Sequence, residues 1–132
     1  MKLLLDTHVL IWLGKSIDLL PSAATIAIIK DPSNEVFVSM VTFYEVAIKM
    51  NIGKLSIGKS VLQFYQDALA NNIKVLPISP SYLATLSSLP LIPDHKDPFD
   101  RLIIATALTE KVAVITADNK FNLYNELITI IW

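Results

Sequence analysis

Asp97-Pro98-Phe99-Asp100-Arg101-Leu102-Ile103-Ile104-Ala105-Thr106-Ala107-Leu108 reads as a helix with acid at its mouth and apolar residues behind. Proline suits a first helical turn, where its missing N–H is not needed. Asp97 stands where an N-cap would. Ile103, Ile104, Ala107 and Leu108 recur at the spacing that buries one stripe of a helix. Asp100 lies one turn earlier on that inward face, as a helix-dipole partner or as part of a site. The following Val112-Ala113-Val114-Ile115-Thr116-Ala117-Asp118 reads as a buried strand that delivers a second acid at its C-terminal end.

Working back to the N-terminus, Leu3-Leu4-Leu5 is a short apolar strand that runs into Asp6, and Thr7 to Leu13 is a compact helix closed by Gly14. Pro21 to Ile29 reads as a second helix, stopped by the turn Asp31-Pro32-Ser33-Asn34. Val36-Phe37-Val38 is a second buried strand, and Ser39 caps a helix from Met40 to Met50 that carries Glu45. A glycine-stopped loop, Asn51 to Leu55, leads to a helix over Val61 to Ala70. Lys74 to Pro77 is a third strand, and Pro80 to Leu86 a short helix. Leu89 to Lys96 is a proline-rich approach to the Asp97 helix, with His95 read as a loop residue. Leu127 to Ile131 is a last strand at an edge. Alternating strands and helices predict one domain over 1–132: a three-layer α/β/α sandwich around a mostly parallel sheet.

Composition agrees. Of 132 residues, 53% are hydrophobic, which suits a sheet buried on both faces. No apolar run reaches the roughly 18–20 residues of a membrane span, and Asp6 interrupts the only leader-like stretch. A cytoplasmic protein without membrane contact is expected. There is no cysteine and there are two histidines, His8 and His95, so thiolate and multi-histidine metal sites are excluded. Formal net charge is −1, so any nucleic acid would be held by a local basic patch.

In a parallel sheet, sites form beyond the carboxyl ends of the strands. Asp6 and Asp118 end strands, and Glu45 and Asp100 occupy early helical turns, so all four can reach one end. Each has a plainer reading. Asp6 can cap the helix from Thr7. Glu45 can complete a capping box with Thr42 or pair with Lys49 at i,i+4. Asp118 can make a turn with Asn119. Taken together, a pair of like charges ~4 Å apart costs about 4 kcal/mol at a surface-like dielectric, so convergence calls for protons or a cation. Hard oxygen donors suit Mg2+ or Mn2+, which assist phosphodiester hydrolysis by activating water. Thr116 and, less strongly, Thr7 are candidates to orient an acid or a water.

Leu3 to His8, Ser39 to Glu45, Asp97-Pro98-Phe99-Asp100-Arg101 and Ile115-Thr116-Ala117-Asp118 together resemble the PIN-domain family, and within it the VapC-type toxins of toxin–antitoxin pairs. The resemblance spans essentially the whole chain. It implies an α/β/α sandwich and a Mg2+- or Mn2+-dependent endoribonuclease with metal-holding acids at Asp6, Glu45, Asp100 and Asp118 and a hydroxyl at Thr116. It further implies an antitoxin whose tail wraps the toxin.

Lys49, Lys54, Lys96, Arg101 and Lys120 are the cations expected to hold RNA. A surplus of apolar residues suggests a homodimer, with Phe43, Tyr44, Phe64 and Tyr65 available for its interface. The competing reading is a catalytically silent PIN-like module that binds RNA or protein. Phosphoryl transfer through Asp6 is disfavoured because His8 stands where a second acid would be. A nucleotide fold is disfavoured because only three glycines are present, with no phosphate loop among them.

Overall fold

The structure, a computed structural model, describes residues 1–15 and 22–132. Five strands, β1 (Lys2–Leu5), β2 (Glu35–Ser39), β3 (Lys74–Leu76), β4 (Ala113–Ile115) and β5 (Ile130–Ile131), form one sheet in the order β3-β2-β1-β4-β5. All four pairings are parallel. Around it lie helices α1 (Thr7–Lys15), α2 (Ala23–Lys30), α3 (Met40–Asn51), α4 (Val61–Ala70), α5 (Pro80–Ser88) and α6 (Pro98–Glu110). The helix expected from Pro21 begins at Ala23, with Ser22 as its cap; Pro21 itself lies outside the described residues.

The sandwich follows from the strands' alternation. Successive side chains of a strand point to opposite faces. Leu3 and Leu5 enter one core with Val9, Val36, Val38, Phe43 and Phe64. Leu4 enters the other, with Leu102, Ile103, Ile104, Val114 and Phe121. β1 is therefore apolar at every position after Lys2 because both its faces are covered, and Leu3, Leu4 and Leu5 have no exposed surface.

α6 starts as its sequence dictates. The Asp97 carboxylate accepts from the backbone N–H groups of Phe99 and Asp100 at 2.9 and 3.0 Å, with Pro98 at the first position. Ser39 likewise caps α3, accepting from Val41 N at 3.2 Å. Both caps set the start of a helix at the carboxyl end of the sheet.

Three boundaries differ from expectation. Gly14 does not close α1, which runs to Lys15; a helical glycine costs only about 1 kcal/mol, and the Lys15 ammonium is anchored on Ser56 O. β4 ends at Ile115, so Asp118 is delivered by a short connection and caps a 3-10 helix over Asn119–Tyr124. The last strand is only Ile130–Ile131. Leu127 and Ile128 instead close a turn, both donating N–H to Tyr124 O, while Ile128 packs under that helix.

Ile103 has no exposed surface and sits in the α6 face of the sandwich. Ile103→Ala should lower unfolding free energy by about 2–5 kcal/mol. Tyr44→Ala, at a side chain 59% exposed, should stay within roughly 0.5 kcal/mol. Urea denaturation of both variants measures the contrast, and equal losses would contradict the layer assignment.

Candidate active site

The four acids sit around the carboxyl ends of β1, β2 and β4, each held by a different local device. Asp6 follows β1 directly, and its backbone N–H extends the ladder to Ile115 O at 3.0 Å. Its carboxylate is buried. Oδ1 accepts from Thr7 N at 2.7 Å, and Oδ2 accepts from the Thr116 hydroxyl at 2.8 Å. That hydroxyl also accepts from Asp118 N at 3.0 Å. Thr116 thus ties the end of β1 to the connection that carries Asp118. Thr7 touches none of the other acids; its hydroxyl meets Thr42 at 3.0 Å and fastens α1 to α3.

Glu45 is buried on α3. Oε2 pairs with Lys49 Nζ one turn on, the i,i+4 pairing the spacing allowed. Oε1 is buried and has no hydrogen-bond partner among the described residues, a costly state for a carboxylate oxygen. Asp118 is half-buried, and its Oδ1 accepts from Lys120 N at 2.9 Å, the turn its plainer reading described. Asp100, half-buried in the first turn of α6, meets His95 Nε2 at 3.1 Å.

The electrostatics couple these groups. Burial pushes the Asp100 carboxyl up to about 8, and the fields of Asp97, Asp6, Glu45 and Asp118 push it the same way. Asp6 is also raised, mainly by burial and further by Glu45, against the hydrogen bonds from Thr116 and Thr7 that favour its charge. Lys49 responds in the opposite sense. Burial disfavours its charge, yet its bond to Glu45 and the fields of Glu45, Asp97 and Asp100 raise its value. Among the described residues, no three acid or histidine side chains close on a single point fit for a metal ion. Each carboxylate is turned toward its own partner, and mutual repulsion favours that spread.

The five expected RNA contacts divide. Lys96 and Lys120 are exposed and adjoin Asp97 and Asp118. Lys49 reaches the acids but is engaged by Glu45. Lys54 is exposed in the turn after α3, its backbone N–H donating back to Lys49 O at 2.8 Å, and it is bonded to none of the four acids among the described residues. Arg101 corrects the expectation outright: it is 8% exposed, with its guanidinium donating to Pro90 O, Leu89 O and the Tyr124 hydroxyl. It shares the buried stripe with Ile104 and Leu108, so it holds structure, not RNA.

Of the aromatic residues named for an interface, Phe43 and Phe64 pack edge-on inside the core at 5.6 Å and are not available. Tyr44 remains exposed and rests on Phe99 at 5.8 Å. Trp12 and Trp132 meet at a tilt, with ring centroids 5.8 Å apart. His95 was read as a plain loop residue. It lies in the loop before α6 but is 1% exposed, and bonds both Asp100 and Tyr124. Tyr124 went unread because nothing local marks it. A cavity of about 720 Å3 is lined by Leu13, Ile29, Phe64 and Ile73 among others and by none of the four acids.

Comparison with known proteins adds the following. The PIN domain family model matches residues 3–127. The chain is 33% identical over 118 residues to Ribonuclease VapC22 of Mycobacterium tuberculosis, covering 89% of this chain and 87% of that protein. In fold it is similar to VapBC2 of Rickettsia felis, solved bound to a promoter DNA fragment. The TM-score is 0.68 at 18% identity, over 98% of this chain and 97% of that one. It is also similar to a toxin–antitoxin complex from Klebsiella pneumoniae, with a TM-score of 0.63 at 22% identity, over 98% and 95%.

The raised Asp100 carboxyl has a measurable consequence. In the folded protein it keeps a proton that the unfolded chain has released, so its stabilising contribution is full below its ordinary value of 3.8 and is lost as pH rises through about 8. Asp6 acts in the same direction. In chelator-treated protein, Asp100→Asn should therefore raise the urea midpoint on the alkaline side of that range, with the advantage shrinking as pH falls. A gap that widens on acidification would contradict the assignment.

Proposed function

The chain belongs to the PIN-domain family, and from that we propose that it is an endoribonuclease that works with Mg2+ or Mn2+ as the toxin of a toxin–antitoxin pair. The observation that carries the reading is the field at Asp100, where one buried carboxyl feels Asp97, Asp6, Glu45 and Asp118 together. Such an arrangement is unfavourable to folding and needs a reason. The relative in Mycobacterium tuberculosis is named a ribonuclease, and the structural relatives include toxin–antitoxin complexes.

The donor set fits a hard divalent cation. It is all oxygen, and buried Glu45 Oε1 has no partner among the described residues. Asp6, Glu45, Asp100 and Asp118 would hold the ion. When bound, it supplies charge against the acids and the phosphate and activates water. The chain's own groups do the rest. Thr116 holds Asp6 by Oδ2 and anchors the backbone of Asp118. Lys49 is the counter-charge to Glu45. Lys96 and Lys120, exposed beside the acids, are placed to meet RNA phosphates as point charges.

Purified protein should cut single-stranded RNA only with Mn2+ or Mg2+, and Asp6→Asn should lower the rate by at least about a hundredfold with the fold intact. Lys96→Ala with Lys120→Ala should weaken RNA binding and flatten its salt dependence by about 1.4 in log–log slope. RNA bound but never cut, in any metal, would favour a silent binding module.

A second, independent pair of measurements addresses the assembly. Exposed Tyr44 on α3, Ile52 just after it, and Leu62 and Leu69 on α4 supply an apolar surface for a second copy. Light scattering at micromolar concentration should give a dimer. Expression alone should arrest growth, and co-expression of an antitoxin from a neighbouring reading frame should restore it, its tail offering a basic side chain to the acids. A strict monomer would remove the interface, and harmless expression of active protein would remove the toxin role.

A further inference from the structure

Beyond the four acids, a chain of buried polar groups leads to Asp100. Arg101 Nη1 lies 2.9 Å from the Tyr124 hydroxyl, that hydroxyl lies 3.0 Å from His95 Nδ1, and His95 Nε2 lies 3.1 Å from Asp100 Oδ2. Arg101, Tyr124 and His95 are all buried. The His95 ring is also gripped edge-on by Tyr124 at 5.4 Å and flanked by Phe121 at 6.0 Å.

The direction of this chain follows from what each group can donate. A guanidinium has donors only, so the Tyr124 oxygen accepts from Arg101. The Tyr124 proton then needs an acceptor away from solvent, and the partner opposite Arg101 is His95 Nδ1. A ring proton on Nδ1 would point at the hydroxyl's own proton. The imidazole proton therefore sits on Nε2, facing Asp100 Oδ2. We infer that His95 is a positioning residue for Asp100, held in its Nε2–H form by a one-way series of donors that starts at Arg101 and passes through Tyr124. This rests on Asp100 being a site acid, as proposed above.

The arrangement explains two otherwise separate facts. Arg101 is buried next to an acid, yet its guanidinium is turned to Leu89 O, Pro90 O and the Tyr124 hydroxyl instead. His95, five residues before Asp100, is held against it by Tyr124, contributed by the 3-10 helix that follows β4 in the chain. A direct arginine pair would neutralise Asp100 and compete with a cation. A neutral N–H orients one of its oxygens, brings no charge of its own and leaves the other oxygen available.

Long-range proton–nitrogen spectra of the 15N-labelled protein in chelator decide the donor series. Exposed His8 serves as the internal comparison. His95 should show a bare Nδ1 and a protonated Nε2, and Tyr124→Phe should spread it over both forms. An Nδ1–H ring in the parent, or an unchanged ring in Tyr124→Phe, overturns the series. Mn2+ titration then tests positioning. His95→Leu should weaken Mn2+ binding by about tenfold or more. His95→Gln, whose side-chain amide can place an N–H near the position of Nε2, should recover most of it. Equal losses in the two variants, following their melting temperatures, overturn the positioning role. A parent protein that neither binds Mn2+ nor cuts RNA overturns the proposed activity instead, and the ring spectrum still decides the donor series.

Discussion

Like charge gathered at one end of a covered sheet is the constraint on which the rest of the structure turns. The strands leave water on both faces, which is why Leu3, Leu4 and Leu5 can all be apolar. Where the strands stop, the low-dielectric interior meets Asp6, with Glu45, Asp100 and Asp118 near enough to feel one another. Repulsion that would be slight in water is large at this boundary. Much of the local architecture can be read as its management. Thr116 and the Thr7 backbone N–H hold Asp6, Lys49 answers Glu45, and the ring of His95 holds Asp100.

The helix starts serve the same end. Asp97 and Ser39 both spend their side chains on backbone N–H groups, so α6 and α3 begin at fixed points. Glu45 and Asp100 then occupy set places in the early turns. Tyr44 against Phe99 braces the two helices from outside. The proline-rich approach before α6 is stiff on its own account, and Arg101 clamps its carbonyls at Leu89 and Pro90. The acids therefore sit on rigid elements, with the supporting groups supplied from loops.

How much of this was legible depends on where the information resides. Apolar triplets that run into an acid, as at Leu5–Asp6, carry their own signal: a strand and what stands at its end. The DPFD cap is equally local. Arg101 was misread because neighbours in sequence are not neighbours in space. One residue along a helix turns about 100°, so Asp100 feels the other acids while Arg101 turns to the carbonyls of Leu89 and Pro90 and to Tyr124. Every residue from Arg101 to Ala107 is buried, so the helical period does not mark the arginine as an inward one. His95 is no more legible locally, because its burial depends on Tyr124, 29 residues later, on a 3-10 helix with no periodic signature. Leu127 to Ile131 failed for a related reason: a short apolar run serves a strand or a buried turn equally well, and pairing with β4 decides between them.

The central place of β1 has a consequence for the order in which the molecule comes into being. Its partners are β2, some thirty residues on, and β4, whose Ala113–Ile115 lie beside Leu3–Leu5. The hydroxyl that fixes Asp6 is 110 residues away along the chain. A chain emerging from the ribosome can close the β1–β2 half early, but it has no Asp100, Thr116 or Asp118 to offer until those far later residues have been made. Loop closure over that span is also slow relative to local helix formation. The acids are thus assembled at the last stage of folding, and a truncated product carries the first half of the sheet without the means to complete the cluster.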